Sequence, residues 1–433
     1  MSSQTSDVVV VGAGPAGTAA AITLSRLGRR VLVVDRAVFP RDKCCGDGLT
    51  AAALRRVEHL GLDPDLVASW QPVHEVAVVA PSGRQVSLPF GSDDGGWFAV
   101  SARRADLDAA MVETARRSGA EVIEGCAVNS VSPAGRQGVL VDLEDGRRLG
   151  ARYVLACDGM WSPVRRSLGL TPPGYLGEWQ AGRQYMRNTG PLARRLWVWF
   201  EPDMIPGYAW SFPLAGDRVN VGYGVLRGSR HAGAHLRGQR IDWAERPHIA
   251  EVLGPDAEPE GPWRAWPIPA RIGQASLSAL GGRVLFTGDA AGACDPMTGE
   301  GIAQALETGE GAARAVVQAG PAAPGVAARR YERGIRWGMA LDNRLALALS
   351  AVLGRATGAD RALSIVDTSD WSRRGFARWM FEDYPRAALV TPHRWHRRMF
   401  TSPGAYAKAA AHPAVPSRVG PERRSTTTFA SHD

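Results

Sequence analysis

The run Gly12-Ala13-Gly14-Pro15-Ala16-Gly17 follows an unbroken apolar stretch, Val8 to Val11, and precedes an alanine-rich segment of helical texture. Short, β-branched and apolar throughout, Val8 to Val11 reads as a strand buried on both faces, as in a parallel sheet. At such a strand–helix junction Gly12 makes the tight turn, Gly14 lets backbone approach a pyrophosphate, and Gly17 lets the helix pack on the strand. Ala16 sits in the same turn, where helix N-terminal amides face phosphates with the positive end of the dipole. A second apolar strand, Val31 to Val34, ends in Asp35 and Arg36. Asp35 lies 18 residues beyond Gly17, placed to accept hydrogen bonds from a ribose diol. Strand, turn, helix, strand and acid together predict a dinucleotide-binding unit at the head of the chain.

Its 433 residues allow two or three compact units. No apolar run reaches 18 residues; the longest late one is Leu345 to Leu353. Residues 1–6 lead into a strand without a charged-then-apolar signal pattern, so a cytoplasmic location is expected. The net charge of +8 rests almost wholly on scattered arginines, Lys43 and Lys408 being the lysines, and no nucleic-acid-binding motif accompanies it. A denser cluster, His393-Arg394-Trp395-His396-Arg397-Arg398, follows Trp379 and Phe381; it reads either as a solvated helix face or as a contact with anionic lipid at a membrane surface. The five cysteines and nine histidines form no disulfide framework and no metal spacing, so no metal is expected.

Further along, Arg104 to Arg117 reads as a helix, Ala120 to Glu124 as a strand, and a β-ribbon turns at Glu144-Asp145-Gly146. Tyr153 to Ala156 is another buried strand, ending at Cys157-Asp158-Gly159. From about 166 to 270 the texture turns aromatic and alternating (Leu196 to Phe200, Tyr208 to Leu214, Val219 to Val225), as in an antiparallel sheet with one covered face. Val284 to Thr287 returns to the parallel pattern, and helical texture runs from Ile302 to roughly 410. The last twenty residues, rich in Pro, Ser, Thr and Arg, read as disordered.

Two distant segments carry chemistry. In Gly288-Asp289-Ala290-Ala291, a carboxylate at a strand end can bind a ribityl hydroxyl. The glycine-rich helix start beyond it, Gly299-Glu300-Gly301, can stabilise negative charge on a reduced flavin ring. In Cys157-Asp158-Gly159-Met160-Trp161-Ser162-Pro163-Val164-Arg165, backbone and Arg165 can face the cofactor phosphates. With the opening turn, these segments make residues 6–325 resemble the p-hydroxybenzoate-hydroxylase-like FAD superfamily. That resemblance implies an α/β FAD-binding Rossmann-like domain with an inserted antiparallel β-sheet substrate domain and C-terminal helices. It also matches Arg104 to an arginine lying against the flavin. The expected division is an FAD-binding domain of 1–72, 101–165 and 271–325; a substrate-binding sheet domain of 73–100 and 166–270; a helical region of 326–410; and a disordered tail, 411–433.

Two further stretches resemble the geranylgeranyl reductase family, which includes menaquinone reductases. One is Phe39 to Leu49, in which Cys45 matches the cysteine of the family's Pro-Cys-Gly, Cys44 replaces the proline, and Gly46 follows. The other is Pro206 to Pro213, similar to the family's aromatic Tyr-x-Trp-x-Phe-Pro strand. Alternation alone puts Tyr208, Trp210 and Phe212 on one strand face, either as a core stripe or as the wall of an apolar tunnel. The resemblance implies hydride transfer from reduced FAD to an isolated alkene of a prenyl chain, with Cys45, Tyr208 and Trp210 as catalytic residues. Gly46, Phe212 and Pro213 are then expected to contact an apolar isoprenoid or terpenoid substrate. Reduction of the flavin falls to NADPH or to a protein electron carrier, since no second dinucleotide fingerprint is present. A flavin monooxygenase of the same fold, acting on a terpenoid or aromatic compound, is the alternative reading.

Overall fold

A computed structural model describes residues 5–91, 95–135, 138–228, 244–381 and 403–411. In chain order, the elements that build the site are β1 (Thr5–Val11), α1 (Pro15–Arg26), β2 (Val31–Val34), α2 (Arg104–Arg117), β3 (Arg148–Ala156), β4 (Trp179–Arg187), β5 (Leu196–Trp199), β6 (Tyr208–Leu214), β7 (Arg218–Leu226), β8 (Glu258–Ile268), β9 (Val284–Phe286) and α3 (Ile302–Ala319). Five further helices follow among the described residues: α4 (Pro324–Trp337), α5 (Met339–Leu353), α6 (Ala356–Val366), α7 (Asp370–Phe381) and the short α8 (Ala407–Ala411). Residues 393–398 and the tail from 412 lie outside the described residues.

The first sheet has eight strands, and its parallel centre runs β9–β3–β1–β2–(Glu121–Ile123). Val8 to Val11 and Val31 to Val34 are buried on both faces, as their unbroken apolar runs require. β3 is longer than its buried end suggested. One edge pairs parallel with β1 from Gly150 to Ala156; on the other edge Arg148 to Ala151 pairs antiparallel with Gly138–Leu143, and Val154 to Ala156 pairs parallel with β9. α1 and α3 cover this sheet, and their close approach depends on Gly309, where a Cβ would stand 2.1 Å from the Ala16 carbonyl oxygen.

The second sheet has seven strands in the order β8–β4–β7–β6–β5–(Glu75–Val79)–(Gln85–Pro89). It is antiparallel except where β5 pairs parallel with Glu75–Val79. The expected all-antiparallel pattern therefore has one exception, because these two strands are joined by a long excursion through the first sheet rather than by a hairpin. Period-2 alternation sorts this sheet cleanly. Val219, Val221, Tyr223 and Val225 of β7 pack into an apolar cluster with Trp197 and Trp199 on one face. Asn220, Gly222 and Gly224 point to the other face, toward the first sheet.

The helices α6 and α7 lie over the second sheet, where Leu363, Val366 and Ala377 join the cluster around Val76, Val78 and Val198. Residues 403–411 return to the first unit: Trp97 and Ala405 form a β-bridge, and the Tyr406 hydroxyl donates to the Leu62 carbonyl at 2.9 Å. No helix among the described residues is long and apolar enough to cross a membrane.

Candidate active site

Both sheets and the C-terminal helices wall one cavity of about 1410 Å³. Its lining includes Gly12, Gly14, Ala16, Asp35 and Arg36 of the glycine turn and its neighbouring strand, Cys45, Asp158, Asp289 and Gly299 from the loops, and the apolar residues Tyr208, Phe212, Leu363 and Phe376.

The glycine turn has the shape its spacing implies. Gly12 has φ of +96°, and a Cβ there would lie 2.5 Å from the Cys157 carbonyl oxygen. A Cβ at Gly17 would sit 1.8 Å from the Gly12 oxygen, so Gly17 serves packing and lies outside the cavity lining. Gly14 opens onto the cavity, with the Arg41 guanidinium as its nearest neighbour at 3.7 Å from a built Cβ. Asp35 does more than await a ribose. Its carboxylate accepts from the amides of Ala13 at 2.6 Å and Ala37 at 2.8 Å, bracing the turn from below. Each oxygen keeps a second lone pair.

Asp158 accepts from the Ser162 hydroxyl at 2.8 Å and the Val164 amide at 3.0 Å through Oδ2, which caps the short helix Pro163–Ser167. Its Oδ1 is buried without a hydrogen-bond partner among the described residues. Burial pushes this carboxyl up to about 6 against the pull of those two donors. A carboxyl raised in the fold keeps its proton where the unfolded chain has lost it, so stability falls as pH rises from about 4 to about 6 and is flat above. Relative to Asp158→Asn, the wild type is expected to lose about 3 kcal/mol across that window. Urea unfolding of both proteins at several pH values between 4 and 7 measures it; a difference that grows in the wild type's favour with pH contradicts the assignment.

Arg165, expected at the phosphates, is turned away. Its guanidinium donates to the carbonyls of Ala290 and Ser276 and lies 4.1 Å over the Phe286 ring, stapling loops together. Arg166 lines the cavity instead, since one helical step of about 100° exchanges the two directions. Asp289 is held by Lys43, whose ammonium stands 3.0 Å away. Burial opposes ionisation of Asp289, but Lys43 outweighs it and keeps the carboxyl below its usual range. Gly288 donates to the Thr308 hydroxyl at 2.9 Å, and Gly301 sits so close to Cys294 that a Cβ would stand 2.9 Å from Sγ. Arg104, at the head of α2, is buried and forks onto Asp108 at 2.9 and 2.7 Å, where Arg41 also pairs at 2.7 Å.

On the second sheet, Tyr208, Trp210 and Phe212 do share the cavity face of β6. Pro213 is the exception among the expected substrate contacts. Alternation sends its ring to the opposite face, outside the cavity lining. Gly46 lies beneath the aromatic strand, where a Cβ would be 3.4 Å from Phe212 and 3.6 Å from Trp210. The Tyr208 hydroxyl donates to the Thr298 carbonyl, and burial pushes its phenol well up. This hydroxyl ties the aromatic strand to the Pro296–Gly301 loop and has its proton committed there. Burial also pushes the Cys45 thiol up, with Arg104 opposing and Asp47 adding to the shift. All five cysteines are free thiols.

Three residues outside the sequence expectations complete the face. The Trp210 indole lies over Gly222, its direct cross-strand partner, and donates to Asn220 Oδ1 at 3.1 Å. Asn220 in turn donates to the Cys45 carbonyl and to Asp47 Oδ2, each at 2.8 Å. The alternation of Asn220 and Gly222 opposite Trp210 was the available signal; the link to Asp47 spans 173 residues and had none.

The residues present fit a flavin dinucleotide: a tight turn whose backbone at Gly12 and Gly17 leaves no room for a Cβ and whose Gly14 opens onto the cavity, a buried acceptor on Asp158 without a partner among the described residues, and an acid at Asp289. The FAD binding domain family matches residues 5–190. Menaquinone reductase of Mycolicibacterium smegmatis is 34% identical over 370 residues, covering 79% of this chain and 84% of that protein. Digeranylgeranylglycerophospholipid reductase 1 of Methanopyrus kandleri is 32% identical over 332 residues, covering 72% and 80%. A crystal structure from Thermoplasma acidophilum, described as geranylgeranyl bacteriochlorophyll reductase-like, matches with a TM-score of 0.72 at 21% identity over 90% of this chain and 100% of that one. At that identity the likeness speaks for the fold.

Proposed function

This chain belongs to the geranylgeranyl reductase and menaquinone reductase family of FAD-dependent oxidoreductases, and on that premise we propose that it hydrogenates isolated double bonds of a prenyl chain, of geranylgeranyl or menaquinone type. The observation that carries this reading is the continuity of the cavity from the glycine cradle to an apolar chamber. Its volume, about 1410 Å³, exceeds the range of about 300–1000 Å³ usual for a single small ligand. It suits a dinucleotide together with an elongated apolar chain.

When bound, FAD in its reduced form supplies the hydride. Gly12, Gly14 and the start of α1 bind the pyrophosphate, Asp35 and Arg36 the adenosine side, and Asp289 the ribityl chain. Arg104, Gly299 and Gly301 hold the ring end, where helix amides favour negative charge. Phe212 and the apolar residues of α5 to α7 exclude water from the alkene. The faces of Tyr208 and Trp210 stabilise the positive charge that develops at a tertiary carbon. With the Tyr208 hydroxyl bound to Thr298, Cys45, whose thiol burial pushes up, holds a proton on Sγ beside the aromatic strand.

The test reduces the holoenzyme with dithionite under nitrogen, which makes the result independent of the natural electron donor. Geranylgeranyl diphosphate or a menaquinone is then added, and product mass is followed. Anaerobic reoxidation of the flavin with a product heavier by two hydrogens is expected. Turnover that demands oxygen and adds one oxygen atom replaces this reading with a monooxygenase.

A further inference from the structure

Asp47 is buried to 0% exposure and has φ of +65°, in the left-handed region that costs any residue other than glycine. Three donors converge on its carboxylate. The Tyr185 hydroxyl at 2.7 Å and Asn220 Nδ2 at 2.8 Å meet Oδ2, while the Arg104 amide meets Oδ1 at 3.3 Å. Its own carbonyl accepts from the Ala102 amide at 2.9 Å. The Asn220 side chain has no polar atom left over: Nδ2 serves Asp47 and the Cys45 carbonyl, and Oδ1 accepts from Trp210. One closed network therefore joins the Cys45 loop, the head of α2 and strands β4, β6 and β7. A backbone strain of this kind persists only where surrounding contacts over-determine it.

We propose that Asp47 is a positioning residue, whose carboxylate, acting through Asn220, locks Cys45 and Trp210 into one frame at the reacting end of the cavity. The proposal rests on the reading of that end given above. An acceptor oxygen with two donors suits a carboxylate, and so does its charged surrounding. Arg104 from α2 and Arg183 from β4 favour the anion, whereas Cys45 beside it is disfavoured as a thiolate. Burial raises the Asp47 carboxyl to about 6, against the hydrogen bonds from Tyr185 and Asn220 and those two arginines, so it is mostly ionised at neutral pH. Cys45 is faced by Arg104 and Asp47, with Tyr208 and Cys294 close enough to interact.

Iodoacetamide alkylation of Cys45 in the holoenzyme, located by peptide mass spectrometry and followed against pH, tests this without any substrate. Asp47→Asn tolerates the backbone conformation and removes the charge. It is expected to move the alkylation midpoint down by about one pH unit and to slow anaerobic alkene reduction about tenfold. Asn220→Ala keeps the charge and cuts the link; it is expected to leave the midpoint in place and raise the limiting alkylation rate severalfold. An unchanged midpoint in the first variant together with an unchanged limiting rate in the second overturns the proposal. If Asp47→Asn does not fold, the limiting rate in Asn220→Ala decides alone. Alkylation shifts of the expected kind in an enzyme that reduces no prenyl substrate would sink the reductase reading and leave the positioning role standing.

Discussion

Gly17→Ala is expected to yield a protein that purifies without FAD and loses its cooperative thermal transition. The added methyl would stand 1.8 Å from the Gly12 carbonyl oxygen, 2.9 Å from its carbon and 3.3 Å from the Val10 side chain. Two of those atoms are backbone, so no rotamer change relieves the clash. Either α1 lifts off β1 by more than an ångström or the turn opens. Lifting α1 also pulls it from α3, because Gly309 holds that helix against Ala16. Both routes cost at least about 3 kcal/mol, in the upper range of single substitutions. Both also displace the amides that bind the pyrophosphate. The ratio of flavin absorbance to protein, with a melting curve, checks the result. A yellow protein with the wild-type melting temperature would mean that the turn is not built as described. Gly334→Ala is the matched control, since a Cβ there meets nothing within 4 Å.

What could be read in advance divides by range. The Gly12–Gly17 turn, the span of α2 and the strand Tyr208–Leu214 are local, and their residues state their own geometry. The direction of a side chain, unlike the existence of its element, depends on how the element is placed in the fold. Arg165 and Arg166 differ by one helical step, and only the placed helix shows which one lines the cavity. Pro213 lies in a stretch that resembles the family, but its odd position in the alternation sets it on the face away from the cavity. Spacing marks Asp35 as a ribose acceptor; its bracing of Ala13 depends on how closely β1 and β2 approach. The Asp47–Asn220 link carries no signal in the sequence, because the two residues lie 173 positions apart and meet only once the strands have paired.

Gly222→Ala is expected to spare FAD and abolish most alkene reduction. A Cβ at this position would lie 2.3 Å from Cζ2 of Trp210 and 2.4 Å from the Gly182 carbonyl oxygen. The indole can swing aside, but doing so breaks its hydrogen bond to Asn220 and moves a ring that walls the cavity. The Gly182 oxygen cannot swing, so β4 and β7 must also part locally, next to the Arg183–Gly222 pair. The glycine cradle, Asp158 and Asp289 lie on the other sheet and feel none of this. The disturbed contacts are those of the chamber with an apolar chain, and kcat/KM for the prenyl substrate is expected to fall by about a hundredfold, the size of effect a misplaced positioning group produces. The flavin content and the rate of reduction by dithionite are expected to stay at wild-type values. Single-turnover reoxidation by geranylgeranyl diphosphate under nitrogen separates the two halves of the site. A variant that loses flavin and alkene reduction in parallel would show that Trp210 supports the cofactor rather than the substrate.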